Sequence, residues 1–224
     1  MGFNMRPIAI VGDVHGEMRA LGQMLQQLDA LDRPVLFVGD YINGGPDSAR
    51  VIEELANRKL SNSDRWRFLA GNHDLALLDY LNKGDFSEFA ALGGVATLAS
   101  YLPHAVGDLR TQFGSVFPPH HCRFLETLSP YFEDDDVFVS HVGFSPDDLF
   151  DRSLDALVRL GDKRVFSVKG PRNLVVCGHY LQTTRRPFET ENLICLDTGC
   201  GTIGGPLTAV LLPEREFILI PSRN

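Results

Sequence analysis

The chain has 224 residues, 44% of them hydrophobic, enough for one substantial core and a single domain. Its formal net charge of -8 argues against nucleic acid or an anionic membrane as partner, so an anionic substrate would need locally bound cations. Residues 1 to 7 hold one Arg and no apolar leader core, and no run approaches the roughly 20 apolar residues of a spanning helix. Cys122, Cys177, Cys195 and Cys200 lack CxxC spacing, so the expectation is a cytoplasmic protein with reduced thiols.

Pro7-Ile8-Ala9-Ile10-Val11 is a short β-branched run that stops at Gly12, which predicts a buried strand with Asp13-Val14-His15-Gly16 at its carboxyl end. Met18, Leu21, Met24, Leu25 and Leu28 follow at helical spacing, and Pro34 precedes a second apolar run, 35–38; together they predict a βαβ unit. That strand again ends at Gly-Asp, Gly39-Asp40, ahead of a turn-rich loop and a predicted helix over 47–57. A third run, 66–70, leads into Gly71-Asn72-His73-Asp74. Residues 75–130 read as a mainly helical insertion. Strands are then predicted at 137–140 before His141, 174–177 before Gly178-His179, 193–196 before Asp197, and as a hairpin over 207–212 and 217–220.

In open α/β sheets ligands bind beyond the carboxyl ends of the strands, so these strand-end polar residues point to one shared site. Asp13, His15, Asp40, Asn72, His141 and His179 offer the mixture of carboxylate, amide oxygen and imidazole that divalent cations take. Asp13 and His15, one residue apart, can face one cation, and Asp40 can bridge to a second. His73 is the candidate general acid because imidazole titrates near working pH. Taken singly, each Gly-Asp pair is an ordinary turn and each histidine an ordinary loop residue; their number and order promote them. Asp74 reads as a helix cap, Asp197 as a support beside the site, and His104, His120 and His121 as surface residues of the insertion.

The series GDVHG, GDYINGGPDS, GNHD, SHVG, CGHY and LDTGCGTIGGPLTAV, from about Ile8 to Leu212, resembles the calcineurin-like metallophosphoesterases, most closely the small bacterial and phage serine/threonine phosphatases. The resemblance implies a four-layer α/β/β/α sandwich and two divalent metal ions, often manganese, with iron, zinc or cobalt also suited to the donors. It implies attack of a metal-bridging hydroxide on a phosphate monoester, in a phosphorylated protein or a small phosphoester. By motif position Asp13, His15 and Asp40 would hold one metal, and Asp40, Asn72, His141 and His179 the other.

Two positions depart from that pattern. Asn43 stands where the family has an Asp paired with the catalytic histidine, and Gly44 where it has an Arg that binds phosphate. Restoring that Arg, as Gly44→Arg, is expected to raise efficiency on phosphomonoesters. Arg159 is the candidate for a second phosphate contact, with Arg152 and Arg164 as alternatives. Two other readings stand beside the phosphatase: a symmetrical diadenosine tetraphosphate hydrolase, and a metal- or phosphate-binding module weakened at Asn43 and Gly44.

Overall fold

The computed structural model describes residues 5–222 except 103, 105, 106 and 173, so the leader reading of residues 1–7 falls partly outside the described residues. The first half runs β1 (Ile8–Val11), α1 (Met18–Asp29), β2 (Val35–Phe37), α2 (Ser48–Ser61) and β3 (Trp66–Phe68). The insertion follows as α3 (Asn72–Lys83), α4 (Ser87–Ala91), α5 (Gly94–Tyr101), α6 (Leu109–Val116) and α7 (Pro119–Glu126). The second half holds β4 (Tyr131–Glu133), β5 (Val137–Ser140), β6 (Leu174–Cys177), β7 (Phe188–Glu189), β8 (Leu193–Cys195), β9 (Leu207–Leu212) and β10 (Glu216–Ile220).

Two five-stranded sheets result, in the orders β10-β9-β1-β2-β3 and β4-β5-β6-β8-β7. β1, β2 and β3 are parallel neighbours, as are β5, β6 and β8, so each set delivers its carboxyl ends to one edge. The strand alternation explains the layering. Ile8 and Ile10 of β1, with Leu36, Val210 and Leu212, meet Val137, Val139, Val176 and Ile194 of the second sheet. Ala9 and Val11, with Val35 and Phe37, face the other way onto Leu21, Met24 and Leu28 of α1 and Val51, Ile52 and Leu55 of α2. Fully burying each valine, leucine, isoleucine, methionine or phenylalanine side chain of this set contributes roughly 1.5–3 kcal/mol.

On the far face of the second sheet, Phe138, Val175 and Cys177 pack against Leu157, Val158 and Val165. These come from two short helical turns, Asp155–Arg159 and Lys163–Phe166, so the fourth layer of the α/β/β/α sandwich is thin. β4 and β7 were not anticipated: they are edge strands of three and two residues, only partly buried, too short for a periodic signal. The insertion is held by an aromatic cluster in which Tyr80 stacks on Phe89 at 5.6 Å and Tyr101 meets Phe113 edge to face at 5.4 Å. All four cysteines are free, and no helix among the described residues is long and apolar enough to cross a membrane.

Candidate metal centre

The loops after β1, β2, β3, β5 and β6 meet at one place. The Asp40 carbonyl accepts the Val14 and His15 amides, both at 3.0 Å, which locks the first two Gly-Asp loops together. His15, Asp40, Asn43 and His179 all have left-handed backbone, with φ of 45°, 55°, 69° and 62°. Such conformations cost about 1–3 kcal/mol each and persist only where the surroundings over-determine them. Here Asp74 does part of that work: its carboxylate accepts the amides of Gly71, Asp40 and Tyr41. The residue read as a helix cap therefore also fixes the loop that carries Asp40. Gly178 is needed for a different reason, since a Cβ there would collide with Asp13 Oδ1.

Within this frame Asp40 Oδ2 lies 3.2 Å from His141 Nε2, 3.7 Å from His73 Nε2 and 3.8 Å from His15 Nε2. Asn72 Oδ1 lies 3.0 Å from His141 Nε2 and 2.9 Å from His179 Nδ1. Asp13 Oδ2 accepts the His179 amide at 3.0 Å. Ligand atoms of Asp13, Asp40 and His141 lie within 4.8 Å of one another, as do those of His15, Asp40 and His73. The rings of His15 and His141 are aimed by their Nδ1 atoms, each 3.1 Å from a backbone carbonyl, of Ile42 and Val38 respectively. All six residues singled out as ligands, and His73, are thus brought together.

The electrostatics are those of a crowded charge cluster. Burial, and then the neighbouring Asp197 and Asp40, push the Asp13 carboxyl well above its ordinary range. Burial opposes ionisation of Asp40 too, but His141, His73 and His15 hold it well below the usual carboxylate range. His141, against the effect of burial, is raised to about 10 by Asp40, whereas burial and His141 take His179 down to about 4.

His73 sits apart from the other donors in one respect. Its Nδ1 is 2.8 Å from Asn43 Nδ2, and Asn43 Oδ1 accepts a 2.6 Å hydrogen bond from the Thr97 hydroxyl of α5. With the Asn43 NH2 group facing Nδ1, the amide donates to His73, an arrangement that goes with a ring proton on Nε2.

Gly44 has φ of 77°, and a Cβ there would come within 2.6 Å of the Gly201 carbonyl oxygen. The space that an Arg side chain would have to leave through is filled by backbone, which overturns the expectation that Gly44→Arg improves the site.

Arg159 pairs with Asp79 at 2.6 Å and Glu88 at 3.7 Å, acidic groups of α3 and α4 outside the cluster. Arg152 lies over the rings of Phe138 and Tyr131, and Arg164 pairs with Asp147 and Asp162. Asp197, expected from the sequence to support the site, is 4% exposed and interacts electrostatically with both Asp13 and His15. Thr97 is a residue with no signal in the sequence, because nothing local marks an insertion helix as touching the site.

A cleft of 680 Å³ opens at His179. Lys163, Phe166, Gln182, Thr183 and Phe188 line it, with the Phe166 and Phe188 rings edge to face at 4.9 Å.

Residues 6–191 match the calcineurin-like phosphoesterase family, and the chain belongs to it. It is 27% identical to the asymmetrical bis(5'-nucleosyl)-tetraphosphatase PrpE of Halalkalibacterium halodurans, over 96% of this chain and 94% of that protein. The corresponding protein of Bacillus velezensis is 28% identical over 95% of this chain and 92% of its own length. Serine/threonine-protein phosphatase 2 of Escherichia coli is 35% identical, but over 40% of this chain and 39% of that protein. Among solved structures, a serine/threonine phosphatase from Saccharomyces cerevisiae superposes with a TM-score of 0.61 at 14% identity, covering 98% of this chain and 81% of that one.

The family works with divalent metals, and the donors present fit them. Asp13 Oδ1 is buried without a hydrogen-bond partner, and acidic oxygens gathered this closely away from water call for positive charge beyond what the histidines supply.

Proposed function

We propose that this protein is a metal-dependent hydrolase of dinucleoside polyphosphates, cleaving a phosphoric anhydride rather than a phosphoserine ester. The observation that carries the reading is the polarity of the Asn43–His73 hydrogen bond. A general acid must be an imidazolium with a proton on both nitrogens, and the Asn43 amide, held by Thr97, donates toward Nδ1 where that second proton would sit. An ester releases an alkoxide, whose conjugate acid lies near the ~15.7 of water and needs that proton. An anhydride releases a nucleotide phosphate with a pKa of about 6, which leaves unprotonated at neutral pH. A histidine that hydrogen-bonds to the phosphate without giving up a proton is therefore compatible with the second substrate and poor for the first.

In this reading Asp13, His15, Asp40, Asn72, His141 and His179 hold two divalent cations, manganese being the first choice. When bound, such cations supply Lewis acidity and lower the pKa of a water into the neutral range. Asp197 adds negative charge behind Asp13 and His15. His73 donates its Nε2 proton as a hydrogen bond to a phosphate oxygen without transferring it. The cleft at His179 takes one nucleoside end, with Lys163 offering charge to the phosphates and Phe166 and Phe188 offering aromatic surface to the base. The relatives similar along nearly the whole chain carry the asymmetrical name, and the expected products from diadenosine tetraphosphate are accordingly AMP and ATP. Four free thiols suit a reducing compartment such as the cytoplasm.

The test is a panel of diadenosine tetraphosphate, an aryl phosphate and a phosphoserine peptide, each with manganese. The dinucleotide should be preferred, and Asn43→Asp should raise peptide turnover about tenfold while leaving the dinucleotide unchanged. Preference for the peptide in the unmodified protein would restore the protein-phosphatase reading. Bound metal with no turnover of any of the three would leave a binding module.

A further inference from the structure

Away from the central cluster, three side chains from two helices converge on one point. Glu53 extends from α2, and His120 and His121 from the first turn of α7; both histidine Nε2 atoms lie 2.8 Å from the same oxygen, Glu53 Oε2. Adjacent residues on a helix point about 100° apart, so two neighbouring imidazoles on one oxygen are not a by-product of helical geometry. Their rings meet edge to face with centroids 4.5 Å apart.

Each end of the set is held from behind. Glu53 Oε1 accepts a hydrogen bond from Asn57 at 3.0 Å, and His121 Nδ1 is 2.7 Å from the Tyr101 hydroxyl. Tyr101 and Phe117 pack edge on against the His121 ring. The His121 side chain is 3% exposed, whereas those of Glu53 and His120 are 49% and 37% exposed, so the point of convergence is open to an ion from solvent. A 490 Å³ cleft lined by Arg50, Glu53, Tyr101 and His121 adjoins it.

We propose that Glu53, His120 and His121 form a zinc site, separate from the central metal centre, that joins α2 to α7. Two imidazole nitrogens and one carboxylate oxygen, with water in the fourth position, suit tetrahedral zinc; magnesium and calcium prefer all-oxygen shells. Ligands 2.0–2.2 Å from zinc stand roughly 3.3 Å apart, so the 2.8 Å contacts need to open by about half an ångström. Protons balance without release: each neutral imidazole moves its proton from Nε2 to Nδ1. His121 Nδ1 then donates to the Tyr101 oxygen, whose hydroxyl changes from donor to acceptor with no heavy atom displaced, and such outer hydrogen bonds fix the tautomer a metal requires.

The test counts zinc. Full-length protein, Glu53→Gln and His120→Gln/His121→Gln are equilibrated with excess zinc, freed of unbound metal, and assayed for zinc per chain. Each variant should hold one zinc fewer than the unmodified protein while keeping its manganese-dependent turnover. In manganese-saturated samples, added zinc should raise the melting temperature of the unmodified protein and of neither variant. Equal zinc counts in the unmodified protein and Glu53→Gln, or half-saturation of the extra site above about 100 µM, would overturn the proposal. Glu53→Gln is a conservative change at a half-exposed position, so the result stands even if the double histidine change disturbs α7.

Discussion

Asp13, Asp40 and His141 reach one another from three strand ends far apart in the chain, whereas His120 and His121 are neighbours that meet Glu53 across a pair of helices. The first group is buried to within 2% of complete, and its Asp40 sits in left-handed backbone, φ 55°. The second stands on ordinary helix with two of its three side chains in water. Burial decides what each can do. A solvated cluster costs the fold little and can be filled or empty, while carboxylates packed together without water destabilise the chain until cations arrive. Strong, oriented electrostatics and a dependence on metal are therefore two aspects of the same construction.

That contrast can be broken at several points. Asp40 is central, lying within 4 Å of three imidazoles, so Asp40→Asn should take turnover to background. The loss should exceed the roughly 10–100-fold typical of a residue behind the ligands, and retained activity in a steady-state assay would dissolve the distinction between the two clusters. Gly44→Arg should lower stability by about 1–3 kcal/mol in chemical denaturation, because of its φ of 77° and the Gly201 carbonyl, with no gain in turnover.

A smaller effect tests the cost of buried charge directly. In chelator, Asp13→Asn should be about 1 kcal/mol more stable than the unmodified protein at pH 7, since it removes a buried carboxylate oxygen with no partner. The sign follows from the raised Asp13 pKa: above about 3.8 the folded state holds a proton that the unfolded chain has released, so stability falls as pH rises. The advantage of Asp13→Asn should therefore grow from pH 4 upward, and vanish or reverse once manganese is added. An unchanged difference across pH would remove the electrostatic account.

The strand ends were legible because β1, β2 and β6 are unbroken apolar runs stopped at or just before glycine, and β5 is an apolar run closed by Ser140 ahead of His141, a local pattern with one physical meaning in a parallel sheet. The same pattern located Asp13, Asp40, His141 and His179. What it could not show is anything set by contact across the chain. The Thr97–Asn43 hydrogen bond spans 54 positions, and Gly44 looked like a lost side chain until the Gly201 carbonyl was found in its place. His120 and His121 read as surface residues for the same reason, their partner Glu53 lying in a different helix.

The placement of Thr97 has an evolutionary consequence. Insertions are the segments in which related chains are freest to drift, yet this one supplies the hydroxyl that hydrogen-bonds both the backbone amide and the side chain of Asn43. Positions 43 and 97 should then change together across relatives. An asparagine at 43 calls for a hydroxyl at 97, while an aspartate, whose two oxygens are alike, releases that constraint and lets α5 diverge.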